Sequence, residues 1–138
     1  MTDFDYGNMT RENLRRAVSM AAEAIRYANH LTLGTGTTAL EYPSDVDAVL
    51  VDLETLAQRL PQLLDQLGAW MAAECAAGRV RVAISGAHSP STEGVAVSAL
   101  RIHLDKAGWG VEASRQALHD ARQITAKLAG VPDEGERG

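Results

Sequence analysis

One cysteine, Cys75, occurs among the 138 residues, so the chain can form no internal disulfide and no cysteine-based zinc site. The residue is read as a small buried hydrophobe. Lysine is almost missing too: eleven of the thirteen basic residues are arginine, a mark of GC-rich coding rather than of chemistry. Basic charge is not in excess, the formal net charge being -5. A general nucleic-acid binder needs surplus Lys and Arg to displace counterions, so that class is disfavoured, although a local patch remains open. No apolar run approaches the roughly 20 residues that cross a bilayer. The opening MTDFDYGN carries acids where a secretory signal would carry a basic and then an apolar stretch, and a cytoplasmic location is expected.

What the sequence does hold is helical periodicity. Thr10 stands as an N-cap before Leu14, Val18, Ala21, Ile25 and Ala28, which alternate by four and three, and a first amphipathic helix is expected over 10–31. A second opens at Pro43-Ser44-Asp45-Val46-Asp47, with Ser44 as cap and two aspartates at the positive end of the helix dipole. Its apolar residues run from Val46 through Leu63, Leu67, Trp70 and Met71 to a stop at Gly78, predicting a helix over 45–78. Pro61 falls inside it, but the apolar phase does not reset there, so one long kinked helix is expected. A third follows Ser89-Pro90 and carries Val97, Leu100, Leu104, Ala107, Val111, Ser114, Leu118 and Ala121 through Gly108-Trp109-Gly110, predicting a helix over 91–129 that bends at the glycines.

Pairing the last two helices antiparallel makes level positions sum to about 169, which sets Trp109 beside Leu60 and Pro61, its indole filling the space opened by the kink. The two helices would be roughly 50 and 57 Å long at 1.5 Å per residue. The first covers little more than half of that. The expected fold is all-α: a long antiparallel helical hairpin with a shorter third helix, in a single domain over 1–129 with a disordered tail at 130–138. The alternative is a compact four-helix bundle in which the chain turns at Gly108–Gly110.

Motifs for catalysis and cofactors are weak. Gly34-Thr35-Gly36-Thr37-Thr38-Ala39 spells a dinucleotide turn, but it follows a helix and no βαβ unit surrounds it, so it reads as a helix stop and connector. Arg79-Val80-Arg81-Val82-Ala83-Ile84-Ser85 alternates like a strand and is read as an extended loop or as a strand that pairs with its own copy. No Glu-x-x-His pair accompanies His30, His88, His103 and His119, and His103 is placed at the core edge with a hydrogen-bond partner. His88, Ser89 and Glu93 are read as turn and cap rather than as nucleophile and base. Asp3-Phe4-Asp5-Tyr6 concentrates two of six aromatic residues and is expected to fold back on the nearest helix or to dock on a partner. No cofactor, no metal and no enzymatic activity are expected.

The run LPQLLDQLGAWMAAECAAGRVRV with the later ALRIHLDKA and ASRQALHDA stretches resembles small Ala/Leu/Arg-rich helical proteins of actinomycetes, some associated with mobile elements. The resemblance implies an all-helical fold and transfers no functional residue. The leading functional expectation is a non-catalytic assembly protein that forms a homodimer through Leu63, Leu67, Trp70, Met71, Val97, Leu100 and Leu104. Two others stand beside it: a regulator contacting nucleic acid through Arg11, Arg15, Arg79 and Arg81, and a bundle holding a small apolar ligand near Trp109.

Overall fold

The computed structural model describes residues 4–34, 36–82 and 90–131. Its elements are three helices, α1 over Arg11–Leu31, α2 over Pro43–Ala76 and α3 over Pro90–Thr125, and no strand occurs among the described residues. The chain divides into two compact units, Met1–Glu41 and Tyr42–Gly138. The first holds α1 and the second is a hairpin of α2 packed along α3.

Helix α1 begins where the cap chemistry places it: Thr10 is extended and its hydroxyl accepts from the Asn13 amide at 3.1 Å. It ends at Leu31, after which the Thr32 hydroxyl donates to the Ala28 carbonyl at 2.9 Å and Gly34 takes the left-handed conformation at φ 75°. The dinucleotide-like segment is thus a helix exit. Thr37 donates to the Leu31 carbonyl and accepts from the Ala39 amide at 3.0 Å, while Thr35 lies outside the described residues. On the other side of α1, Phe4, Asp5 and Tyr6 share a pocket with Asn13, Arg16, Ala17 and Met20, and the Asn13 amide group donates to the Asn8 carbonyl at 3.0 Å. Phe4 is 52% and Tyr6 90% exposed, so the segment lies beside the first turns of α1 with both rings open to solvent.

Helix α2 starts two residues earlier than expected. Pro43 occupies the first helical position, where its missing amide costs nothing. The cap is Tyr42 rather than Ser44, with the Asp45 carboxylate accepting from the Tyr42 amide at 2.8 Å. The helix runs unbroken through Pro61 and ends at Ala76, two residues short of the expected 78, with Gly78 just beyond the cap in the left-handed conformation at φ 74°. Helix α3 likewise passes straight through Gly108-Trp109-Gly110, which removes the compact four-helix alternative. It ends at Thr125 rather than at 129, because the Lys127 and Leu128 amides switch to carbonyls three residues back. Gly130 then lies close to Tyr42 and Pro43, where a methyl group would stand 3.3 and 3.4 Å from their ring carbons. The cap assigned to Ser89, residues 132–138 of the tail expected at 130–138, and residues 83–85 of the strand-like connector lie outside the described residues.

The register of the hairpin is the one that loop closure implies. Arg122 stands opposite Asp47, Arg115 opposite Glu54, Gly108 opposite Pro61 and Arg101 opposite Gly68. Trp109 is level with Pro61 but does not fill a kink, being 69% exposed. One residue along an α-helix turns about 100°, so with Gly108 aimed at Pro61 the adjacent indole is swung out to solvent. A methyl group at Gly108 would be 4.0 Å from the Pro61 Cβ, an ordinary van der Waals distance, so the position opposite the proline has room for one.

Candidate interaction surface

Two helices have a seam but no enclosed interior, and the burial pattern follows from that. The buried apolar side chains among the described residues are Ala57 and Val97, and the buried polar ones are Glu54 and Glu93. Large side chains cannot be enclosed between only two cylinders, so small residues make the closest approaches. Gly68 is buried, and a Cβ there would come within 3.3 Å of Leu104 Cδ1 and 3.6 Å of the Arg101 side chain.

A charged cluster occupies the seam near the start of α2 and the end of α3. Glu54 is 7% exposed. Its Oε2 accepts from Arg122 Nη1 at 2.7 Å, and its Oε1 lies 3.6 Å from Arg115 Nη1 and 3.4 Å from His119 Nδ1. Arg115, His119 and Arg122 are spaced by four and three, so three successive positions on one face of α3 converge on one carboxylate. Asp47, about two turns earlier on α2, accepts from the Thr125 hydroxyl at 2.6 Å and lies 3.9 Å from Arg122 Nε, which is buried without a hydrogen-bond partner. The Arg122 hydrogen bond, helped by its charge and that of His119, holds the Glu54 carboxyl below its ordinary range against the opposing effect of burial. Arg115 also grips Glu112 on its own helix, which keeps that carboxyl low as well.

Chemically this arrangement pins one helix against the other. Each charged member lies within 3.9 Å of an opposite charge, and this geometry fixes which turn of α3 lies against which turn of α2. The sequence reading missed it. The signal was present: Glu54 interrupts an apolar stripe between Leu50 and Ala57, and Arg115 and Arg122 fall on the seam of α3 where apolar residues would be expected.

The residues singled out by the sequence are distributed over the hairpin rather than gathered at one point. Val97 is buried in the seam and Leu104 is half-buried against Gly68. Leu63 and Met71 are half-buried, whereas Leu67, Leu100 and Trp70 are exposed, Trp70 by 61%. Arg11 and Arg15 are exposed on α1, and Arg81 is exposed in the connector. Arg79 is bound by Glu74 through contacts of 2.6 and 3.0 Å, which lowers the carboxyl's pKa and raises that of the guanidinium. Arg79 to Val82 form no strand, and the Val82 amide donates to Glu93 Oε1 at 2.9 Å. Glu93 thereby secures the connector to α3. Its supposed companions His88 and Ser89 lie outside the described residues. His103 is exposed rather than at the core edge, because it sits on the flank of α3 turned away from the α2 seam.

Beside the seam runs an apolar groove lined by Leu53, Leu56, Ala57 and Leu60 from α2 and by Ala107, Gly110, Val111, Ser114 and Leu118 from α3. No helix is long and apolar enough to cross a membrane, and no group of three or more His, Cys, Asp and Glu side chains could hold a metal ion, both among the described residues. No protein-family model matches the chain, no curated protein matches its sequence, and no solved structure matches it.

Proposed function

We propose that the protein is a non-catalytic assembly protein that forms a homodimer through the open face of the α2/α3 hairpin. One observation carries this reading. Among the described residues only Ala57 and Val97 are buried apolar side chains, while Leu67, Trp70 and Leu100 stand exposed along the hairpin. Contiguous apolar surface on a helix pair is the usual mark of an interface, and burying it yields about 25 cal/mol per Å². The cluster around Glu54 complements this role by holding the hairpin in one register, so that one defined face is presented. A reading as a nucleic-acid regulator loses Arg79 to its pairing with Glu74.

The test is the absolute molar mass in solution, by light scattering behind size exclusion over a range of concentrations. A mass of twice 14.7 kDa is expected. Trp70→Glu should return the mass to that of the monomer with helical content unchanged. A concentration-independent monomer for the wild type would refute the proposal.

A further inference from the structure

Helix α2 carries two parallel rows of side chains, and the row packed against α3 is the less apolar of the two. Stepping alternately by three and four residues from Asp47 to Met71 meets Glu54, Ala57, Pro61 and Gly68. This row faces α3: Glu54, Ala57 and Gly68 are the buried residues of α2, Arg122 reaches Glu54, and a Cβ on Gly68 would lie against Leu104. Moving every station back by one residue gives a second row, from Val46 to Trp70. All eight of its stations are valine, leucine or tryptophan. None of them is buried: the two at either end are 38 to 61% exposed, and the four leucines between are half-buried.

Large apolar residues at every station of a three-and-four alternation are the repeat by which one helix packs along another, so this row is suited to a helix. Its occupant must match it in length and bulk. The row spans about 36 Å at 1.5 Å per residue, whereas the row of α1 from Leu14 to Ala28 spans about 21 Å and has alanine at two of five stations. The α3 row from Leu100 to Ala121 has alanine or serine at three of seven. Among the helices of this chain, α2 itself is the match.

We infer that the second row of α2 packs antiparallel against the same row of another copy, joining two hairpins into a four-helix bundle. This rests on the self-association reading and goes further by fixing the helix, its direction and its register. Adjacent residues point about 100° apart, and the two neighbours of a helix in a square bundle lie about 90° apart, so rows offset by one residue suit the two contacts. Direction follows from volume. Antiparallel pairing in which level positions sum to about 116 sets Val46 against Trp70 of the other copy and Leu53 against Leu63, so each layer is filled to a similar extent. Parallel pairing in register would crowd two tryptophans at one end and leave two valines at the other. The twofold axis crosses α2 beside Gln58 and, through the hairpin register, α3 beside Val111, which lines the groove. Arg59 of each copy comes near this axis on the exposed rim, where solvent screens the like charges.

The area is sufficient as well. A strip about 36 Å long and two helices wide, about 20 Å, amounts to roughly 700 Å² per copy, and stable interfaces bury about 800 Å² per partner.

The experiment uses the full chain. In a Cys75→Ala background, mixing Leu53→Cys with Leu63→Cys under mild oxidation should give a disulfide between the two different variants. Neither should link to itself, because equal positions stand about 15 Å apart along the helices on either side of the axis. Trp70→Val should raise the dissociation constant, measured by concentration-dependent light scattering, about tenfold or more, and adding Val46→Trp to the same chain should restore it by returning one large and one small side chain to each end layer. Both positions are exposed on the hairpin, so helical content should hold in all of these variants. Cysteines that link only to their own kind, a dimer unchanged by Trp70→Val, or one that Val46→Trp fails to restore overturns this packing and leaves self-association standing. A wild type that is monomeric at every concentration overturns both.

Discussion

The carboxylate of Glu54 on α2 accepts a hydrogen bond from Arg122 on α3 at 2.7 Å, from a residue 68 positions further along the chain. Because Arg115 and His119 approach the same carboxylate, sliding α3 by one turn would exchange partners along the whole cluster and leave buried charge unpaired. The apolar seam alone would tolerate such a slip, since its residues repeat with nearly the same spacing turn after turn.

The cluster makes stability depend on acid. The folded-state pKa of Glu54 lies below its ordinary value of 4.5, so the folded form binds this proton less readily than the unfolded chain does. Its contribution is full above the ordinary carboxylate range and is lost as pH falls through the depressed folded value. Thermal melts between pH 7 and pH 3 should show the wild type losing Tm more steeply below 4.5 than Glu54→Gln does. Parallel curves for the two proteins would show that the Glu54 contacts add nothing to folding.

Gly68 separates packing from helix propensity. Its Cβ position already lies 3.3 Å from Leu104 Cδ1, and a leucine there should cost about 1–3 kcal/mol by overpacking the seam. Gly94, where a Cβ meets nothing within 4 Å, should instead gain up to about 1 kcal/mol on replacement by alanine. Urea unfolding of the two variants should give shifts of opposite sign.

The Thr10 cap is the local support of α1, which has no buried residue. Thr10→Ala removes the acceptor for the Asn13 amide and should cost about 1 kcal/mol of helix stability. Faster amide exchange is expected at Asn13 and its neighbours, with α2 around Ala57 unchanged.

Trp109 tests the register from the outside. With its indole 69% exposed, Trp109→Ala should change folding stability by less than about 0.5 kcal/mol. A ring that filled a kink in α2 would instead cost about 3–5 kcal/mol on removal, which chemical denaturation separates easily.

The local features of the fold were legible because they depend on near neighbours in the chain. The Thr10 cap, the proline at the first turn of α2, the Gly34 and Gly78 exits and the continuity of phase through Pro61 and Gly108–Gly110 are all set by backbone chemistry within a few residues. Loop length added the register. The start of α2 was misplaced by two residues because Asp45, rather than Ser44, supplies the group that reaches back to the cap amide.

By itself, then, the sequence determined three helices, their limits to within a few residues, and the pairing of two of them, because periodicity and capping are properties of a helix taken alone. Only the tertiary structure decided the azimuth of each side chain about the seam. That choice sent Trp109 to solvent, brought Gly68 under Leu104, and gathered three residues of α3 onto Glu54. The reason is physical: adjacent residues point about 100° apart, so knowing the height of a residue leaves its direction undetermined until a second helix packs against it.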